Sequence, residues 1–303
     1  MVEDFSFDEL EKLEQAIKLK EENEAIESKV KEEIAPETEA LVIGDKEDII
    51  ILSISDVDSF VNILKAIKTI NSEVKFEFKE DRLTIQALGE PTNYMLIVDF
   101  LNIFFDIIKN PEMEIIIDVD DLIKLCRSKA SKINIIKTPK GELIANVLGK
   151  SIKKSNIPLY EEAKKTPDVD KILLPVEFTL TTEKFAEIVA DINTITPSKD
   201  SKNLVFENKG GYIQAVARFS QRWTEINTEI KSPTYKDDNG NIKEIPVYGK
   251  YNMTYVDAFA PLSKVSEKVK IEMGNNQALK LTYAVPNKFK AIGLIAPIAK
   301  RED

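Results

Sequence analysis

A chain of 303 residues, with 52 acids against 42 bases and a net charge of −10, exceeds what one core usually needs and suits two domains with an extension. The single cysteine, Cys126, excludes an internal disulfide and a cysteine metal site within one chain, and the absence of histidine removes the commonest general base and metal ligand. No apolar run is long enough to span a bilayer and the first residues lack the pattern of a secretion signal, so a soluble, intracellular protein with no membrane partner is expected.

The acidity is local. Residues 1–48 hold 17 Asp and Glu against 6 Lys, a net of −11, which leaves the rest of the chain at +1. A balanced body of this kind is compatible with a polyanion partner. Within 7–34, Leu10, Leu13, Ile17, Ile26, Val30 and Ile34 recur at helical spacing and Pro36 ends the pattern, so this stretch reads either as a mobile acidic extension or as a docking helix.

After a strand at 49–54, the spacing of Phe60, Ile63, Leu64 and Ile67 predicts a helix over 59–69 with one apolar stripe. Alternation then predicts strands at 74–78 and 83–87 across a turn at Glu80 and Asp81. Strands follow at 93–99 and 113–119, with 100–108 apolar but without a clear period. A second helix is expected at 120–130, with Leu122, Leu125 and Cys126 inward, running into a hairpin of 132–138 and 142–148 and a strand at 151–159. Residues 160–170 are charged, contain Pro167 and read as a linker.

The arrangement then recurs. A strand at 178–180 leads to a helix at 182–192 and a hairpin of 203–208 and 212–218 across Gly210 and Gly211. A strand at 223–230 and a polar excursion over 232–245, turning at Asp238 to Gly240, precede a fourth helix at 254–265. A hairpin of 268–273 and 278–285 and a strand at 289–295 close the chain. Four helix-plus-hairpin units grouped two and two imply a duplicated α+β fold, each half with two helices on one face of a mostly antiparallel sheet. The expected divisions are an extension at 1–46, a first domain at 47–159, a connector at 160–172 and a second domain at 173–303.

In this order of helices and hairpins, in NIPLYEE at 156–162, and in the closing VKIEMGNNQALKLTYAVPNKFKAIGLIAP at 269–297, the chain resembles the sliding clamps of the proliferating-cell nuclear antigen type, especially archaeal ones. The resemblance covers about 48–303. It implies two DNA-clamp domains, a homotrimeric ring around duplex DNA and no cofactor. Its implied partners are DNA polymerase, clamp loader, ligase and nuclease, in the cytoplasm on the nucleoid, or in the nucleus if the source is eukaryotic and in the host cell if it is viral. Two other readings of the sequence remain, a monomeric processivity factor of viral type and a non-DNA interaction protein on the same fold.

The resemblance also assigns residues. Lys65, Lys68, Lys124, Arg127, Lys184, Lys264 and Lys268 fall where the family carries DNA-facing cations, although each is equally an ordinary solvated residue of an amphipathic helix. Asn62 and Val189 stand where some relatives have Lys or Arg. An acidic stripe of Glu183, Glu187 and Asp191, extended by Glu225 and Glu229, is expected to face Arg127, Lys129 and Lys153 across a subunit boundary. Trp223 fits that boundary or a core equally well. A pocket for short partner motifs is expected from Leu88, Asn93, Leu159, Leu294, Ala296 and Pro297, with Asn93 and Leu294 departing from the family's usual choices. Leu88 and Leu294 read equally well as core. No catalytic constellation emerges.

Overall fold

The computed structural model describes residues 49–108, 113–126, 130–149, 151–160, 172, 174–195, 202–219, 222–236 and 241–298. The acidic extension, most of the connector and the Asp238 to Gly240 turn lie outside the described residues.

Two units make up the first half. β1 (Ile49–Ile54), α1 (Val57–Ile70), β2 (Glu73–Phe78), β3 (Arg82–Leu88) and β4 (Tyr94–Leu101) form one. After a 3-10 turn at Asn102–Phe104 and the two-residue β5 (Ile107–Ile108) come β6 (Glu114–Asp118), α2 (Val119–Leu125), β7 (Lys132–Lys137), β8 (Leu143–Leu148) and β9 (Lys153–Ile157). The second half repeats the order: β10 (Val176–Thr181), α3 (Thr182–Ile195), β11 (Asn203–Lys209), β12 (Tyr212–Phe219) and β13 (Arg222–Lys231), then a small hairpin of β14 (Thr234–Lys236) and β15 (Ile242–Glu244). Last come β16 (Tyr248–Asn252), α4 (Met253–Asp257), a 3-10 turn at Ala260–Lys264, β17 (Lys268–Met273), β18 (Leu279–Val285) and β19 (Phe289–Ile295).

Local chemistry sets the helix starts. The Asp56 carboxylate accepts from the Ser59 amide at 3.3 Å, Asp118 from the Asp120 amide at 2.8 Å, and the Asn252 side chain from the Thr254 amide at 2.8 Å, each satisfying a donor the helix leaves open. The fourth helix is shorter than its periodicity suggests. Pro261 has no amide to donate and its ring would meet the carbonyl of Asp257, so α4 stops there and the 3-10 turn carries the chain onward. β16, which no clear alternation in the sequence announces, takes up the short stretch before it.

Pairing repeats as strictly as order. In each half the lead strand of one unit joins the hairpin of the other: β1 pairs β7 and β6 pairs β2, while β10 pairs β17 and β16 pairs β11. The sheets run β5-β1-β7-β8-β9, β13-β12-β11-β16 and β10-β17-β18-β19-β4-β3-β2-β6. The eight-stranded sheet crosses from one half to the other where β19 pairs β4 antiparallel from Phe289↔Phe100 to Ile295↔Tyr94. β9 and β13 each form an outer edge of their sheets.

One continuous core lies between sheets and helices. Phe60, Ile63, Leu64 and Ile67 of α1, the stripe expected from sequence, are all fully buried in it. At the join between halves, Phe100 is surrounded by Phe60, Phe104, Phe105 and Phe289, with ring centroids 5.7, 4.9, 5.8 and 6.3 Å away. Phe259 approaches the backbone of β19 at Gly293, where an added Cβ would sit 2.6 to 2.9 Å from three ring carbons. Gly293→Ala is therefore expected to overpack this contact and cost about 1–3 kcal/mol, read as a lower midpoint in urea.

Candidate nucleic-acid and partner interfaces

The helices form a row. α1 packs against α2 on one side and the 3-10 turn on the other, and α3 packs against α4 and the same turn. Polar bonds tie neighbours together: Lys68 of α1 pairs with Asp120 of α2, the Thr69 hydroxyl donates to the Ala258 carbonyl at 2.9 Å, and the Asn193 amide donates to Asp257 at 3.3 Å. Because the apolar stripe of α1 faces the sheet, Asp58, Lys65, Lys68 and Thr69 are left exposed on the row's outer side.

The cations expected to meet DNA are placed unequally in this row. Lys65 is exposed and donates to Asn62 at 3.5 Å. Lys68 and Lys124 converge on Asp120; Lys124 lies 3.0 Å from it and 3.3 Å from Asp121. Hydrogen bonds from Lys68 first and Lys124 second hold the Asp120 carboxyl below its ordinary range. Lys264 and Lys268, both exposed, flank a cleft of about 960 Å³ that Thr181, Ser263 and Pro286 also line. On α3, Lys184 lies 3.8 Å from Glu187, and the exposed face otherwise carries Ala186, Ala190, Thr194 and acids. Arg127 lies outside the described residues.

At the sheet edges, Lys153 of β9 donates to the Leu125 carbonyl at 3.4 Å and so caps the end of α2, with Lys154 exposed beside it. Burial pushes the nearby Cys126 thiol up to about 11 against a small opposing pull from Lys153, which makes it a poor nucleophile at neutral pH. Glu183, Glu187 and Asp191 are exposed on α3. Across the chain on β13, Glu225 pairs with Lys209. Glu229 has a left-handed φ of 64°, close to a register shift between β12 and β13, so the acidic row is interrupted there. Trp223 belongs to β13 opposite Arg218, and Lys129 lies outside the described residues.

The opposite face of the eight-stranded sheet carries a second apolar cluster. Met95 and Ile97 of β4 and Ile292 and Leu294 of β19 are buried in it, with Leu88, Ile172 and Ala278 packed around them. Registers Leu88↔Met95, Met95↔Leu294 and Ile97↔Ile292 make it a compact block two rows deep. Charged pairs border it, among them Lys280–Glu272 at 3.3 Å and Lys270–Glu177 at 2.8 Å. The Ala296 amide donates to the Asn93 carbonyl at 2.7 Å, which sets Asn93, Ala296 and Pro297 at one rim. Leu159 is 48% exposed and, among the described residues, is not one of those that fill the cluster. Met95, Ile97, Ile292 and Ile172 were not anticipated; the signal for them was a β4 sequence apolar on both faces, YMLIVDFL.

Among the described residues no helix is long and apolar enough to cross a membrane, and no group of three metal-ligating side chains is assembled. No family model matches the chain. Curated relatives do, among them the DNA polymerase sliding clamp of Methanothermobacter thermautotrophicus, 23% identical over 80% of this chain and 96% of its own length, and DNA polymerase sliding clamp 2 of Saccharolobus solfataricus, 22% identical over 80% and 97%. The fold matches a solved PCNA2-PCNA3 complex from Sulfolobus tokodaii with a TM-score of 0.69 at 18% identity, over 82% of this chain and 99% of that one. It also matches A. fulgidus PCNA, solved with the C-terminal region of FEN-1 bound, with a TM-score of 0.68 at 17% identity over 84% and 100%. With two halves of one topology and helices in a row on one side, the chain is similar in sequence to archaeal DNA polymerase sliding clamps over nearly their whole length and shares the fold of the solved PCNA structures.

Proposed function

We propose that the chain is a DNA polymerase processivity factor that closes with two further copies into a ring around duplex DNA and tethers replication and repair enzymes. It performs no chemistry and needs no cofactor. The proposed domains are 47–159 and 173–303, joined by a connector at 160–172 and preceded by an extension at 1–46, and the proposed place of action is the nucleoid in the cytoplasm. The observation that carries the reading is the division of one sheet into two working faces, a helix row with Lys65, Lys68, Lys124 and Lys264 on one side and the Leu88–Met95–Leu294 block on the other.

Two different edges favour ring closure. β9 carries Lys153 and Lys154, whereas β13 carries Glu225 and the neighbouring α3 carries Glu183, Glu187 and Asp191. Unlike edges that complement each other make a head-to-tail contact, and such contacts either close into a ring or run on as a filament. Exposed ion pairs contribute only about 0–1 kcal/mol each, so backbone pairing of β9 with a neighbour's β13 supplies most of the closure and the charges set direction.

Inside such a ring, lysines on long stems contact phosphates without reading bases, which leaves the ring free to move. The outer block accepts short motifs with apolar and aromatic anchors from polymerase, clamp loader, ligase and nuclease. Equilibrium sedimentation and DNA retention test the reading together. The expected result is a mass three times that of the 34.3 kDa chain, with protein retained on closed circular DNA after loading and lost when the circle is cut. A single-chain mass would favour a monomeric processivity factor, and a ring that is never retained would favour a non-DNA interaction protein.

A further inference from the structure

Lys184 of α3 apart, which lies 3.8 Å from Glu187, the cations of the helix row fall into two groups. Lys65, Lys264 and Lys268 make no ion pair among the described residues and stand free to meet a phosphate. Lys68 and Lys124 are already engaged, and both by one carboxylate. Asp120 stands between them at the start of α2, and its own side chain is 19% exposed against 43% for Lys68 and 52% for Lys124. Asp121 adds a weaker contact to Lys124 at 3.3 Å.

This arrangement is not needed to start the helix. The Asp118 carboxylate already accepts from the Asp120 amide at 2.8 Å, and Asp121 supplies a second acid to the first turn. Asp120 is the acid that reaches across to α1, a residue 52 positions away in sequence. A phosphate approaching Lys68 or Lys124 must therefore displace a carboxylate rather than water alone.

Resting on the reading of the chain as a clamp on duplex DNA, we propose that Asp120 is an internal competitor for DNA phosphate: it holds the ammonium groups of Lys68 and Lys124 and thereby sets how weakly the helix row grips the duplex. A sliding ring benefits from weak contacts that form and break readily. A carboxylate partner supplies this directly, because an ion pair within the protein re-forms as soon as a phosphate moves away. The same exchange reduces the net charge offered to DNA at these two lysines, so it also flattens the dependence of binding on salt.

The test is the affinity of the full chain for a short linear duplex, read by fluorescence anisotropy over a series of salt concentrations. Asp120→Asn is expected to raise affinity about three- to tenfold at low salt and to steepen the salt slope by about 1, the size expected for one further phosphate neutralised. Asp58→Asn removes the same formal charge from the exposed side of α1, where no lysine is paired to Asp58 among the described residues, and is expected to change affinity much less. In a Lys68→Ala/Lys124→Ala background, Asp120→Asn is expected to have no effect.

Equal gains from Asp58→Asn and Asp120→Asn, or a gain from Asp120→Asn that persists without the two lysines, would overturn the proposal in favour of a general effect of net charge. No gain from Asp120→Asn while Lys65→Ala/Lys264→Ala weakens binding would overturn the proposal and leave the clamp reading standing. Indifference of DNA binding to every variant would remove both. Far-UV circular dichroism of Asp120→Asn, expected to match the parent, ensures that the readout is binding and not loss of α2.

Discussion

Phe100→Ala is expected to lower the stability of the chain by about 3–5 kcal/mol, the range for truncating a fully buried phenylalanine, and to shift the urea midpoint down accordingly. The ring has no exposed surface and touches four other phenylalanines, so its removal costs burial, leaves a cavity and ends several aromatic contacts. Its position makes the loss more than local. Phe100 pairs with Phe289 in the register that joins β4 to β19, the seam through which the first half's sheet continues into the second half's. Ile103 is only three residues away but 72% exposed, and Ile103→Ala is the matched control, expected to stay within about 0.5 kcal/mol of the parent. Equal effects from the two substitutions would show that the aromatic cluster does not hold the seam.

The sequence was most legible where a single face was apolar. The α1 stripe and the alternating hairpins at β2–β3, β7–β8 and β17–β18 follow from periods that burial enforces, and the repeat of those elements exposed the duplication. It was least legible where both faces were apolar or where the interacting residues were distant in the chain. β4 is apolar on both faces from Met95 to Val98, so only Asp99, on the parity of Met95 and Ile97, hints that these two face the outer block while Leu96, Val98 and Phe100 face the main core. Residues 100–108 lack a period because they serve a strand end, a 3-10 turn and the two-residue β5 in quick succession. β16 was hidden by Gly249 and Lys250, which weaken its alternation.

The candidate site divides in the same way. That Lys68 and Lys124 share a region was expected from helix position, but that Asp120 holds both depends on the packing of α1 against α2, which no local pattern reports. Among the residues assigned to the outer pocket, Leu88 and Leu294 meet in one block because registers through Met95 align them. Leu159 stands apart from that block, since the strand that was expected to reach it ends at Ile157.

Leu294→Asp tests the outer block as a place where partner peptides anchor. Leu294 is 6% exposed, yet it faces away from the helices and belongs to the small cluster, not the main core. Its neighbour in register on β18 is Lys280, so a carboxylate introduced at 294 has a cation one strand away and is better tolerated than it would be among the buried residues of α1. The substitution still removes a central apolar side chain and places charge where a peptide would bury an aromatic or aliphatic group. Residues of that kind typically account for at least about 2 kcal/mol of binding, so affinity for a motif-bearing peptide should fall about thirtyfold or more in a calorimetric titration. DNA retention on circles is expected to persist, because the lysine-bearing helices lie on the other face of the sheet. Unchanged peptide affinity in a folded Leu294→Asp protein would place the anchor elsewhere, and simultaneous loss of DNA retention would mean that the two faces are not independent.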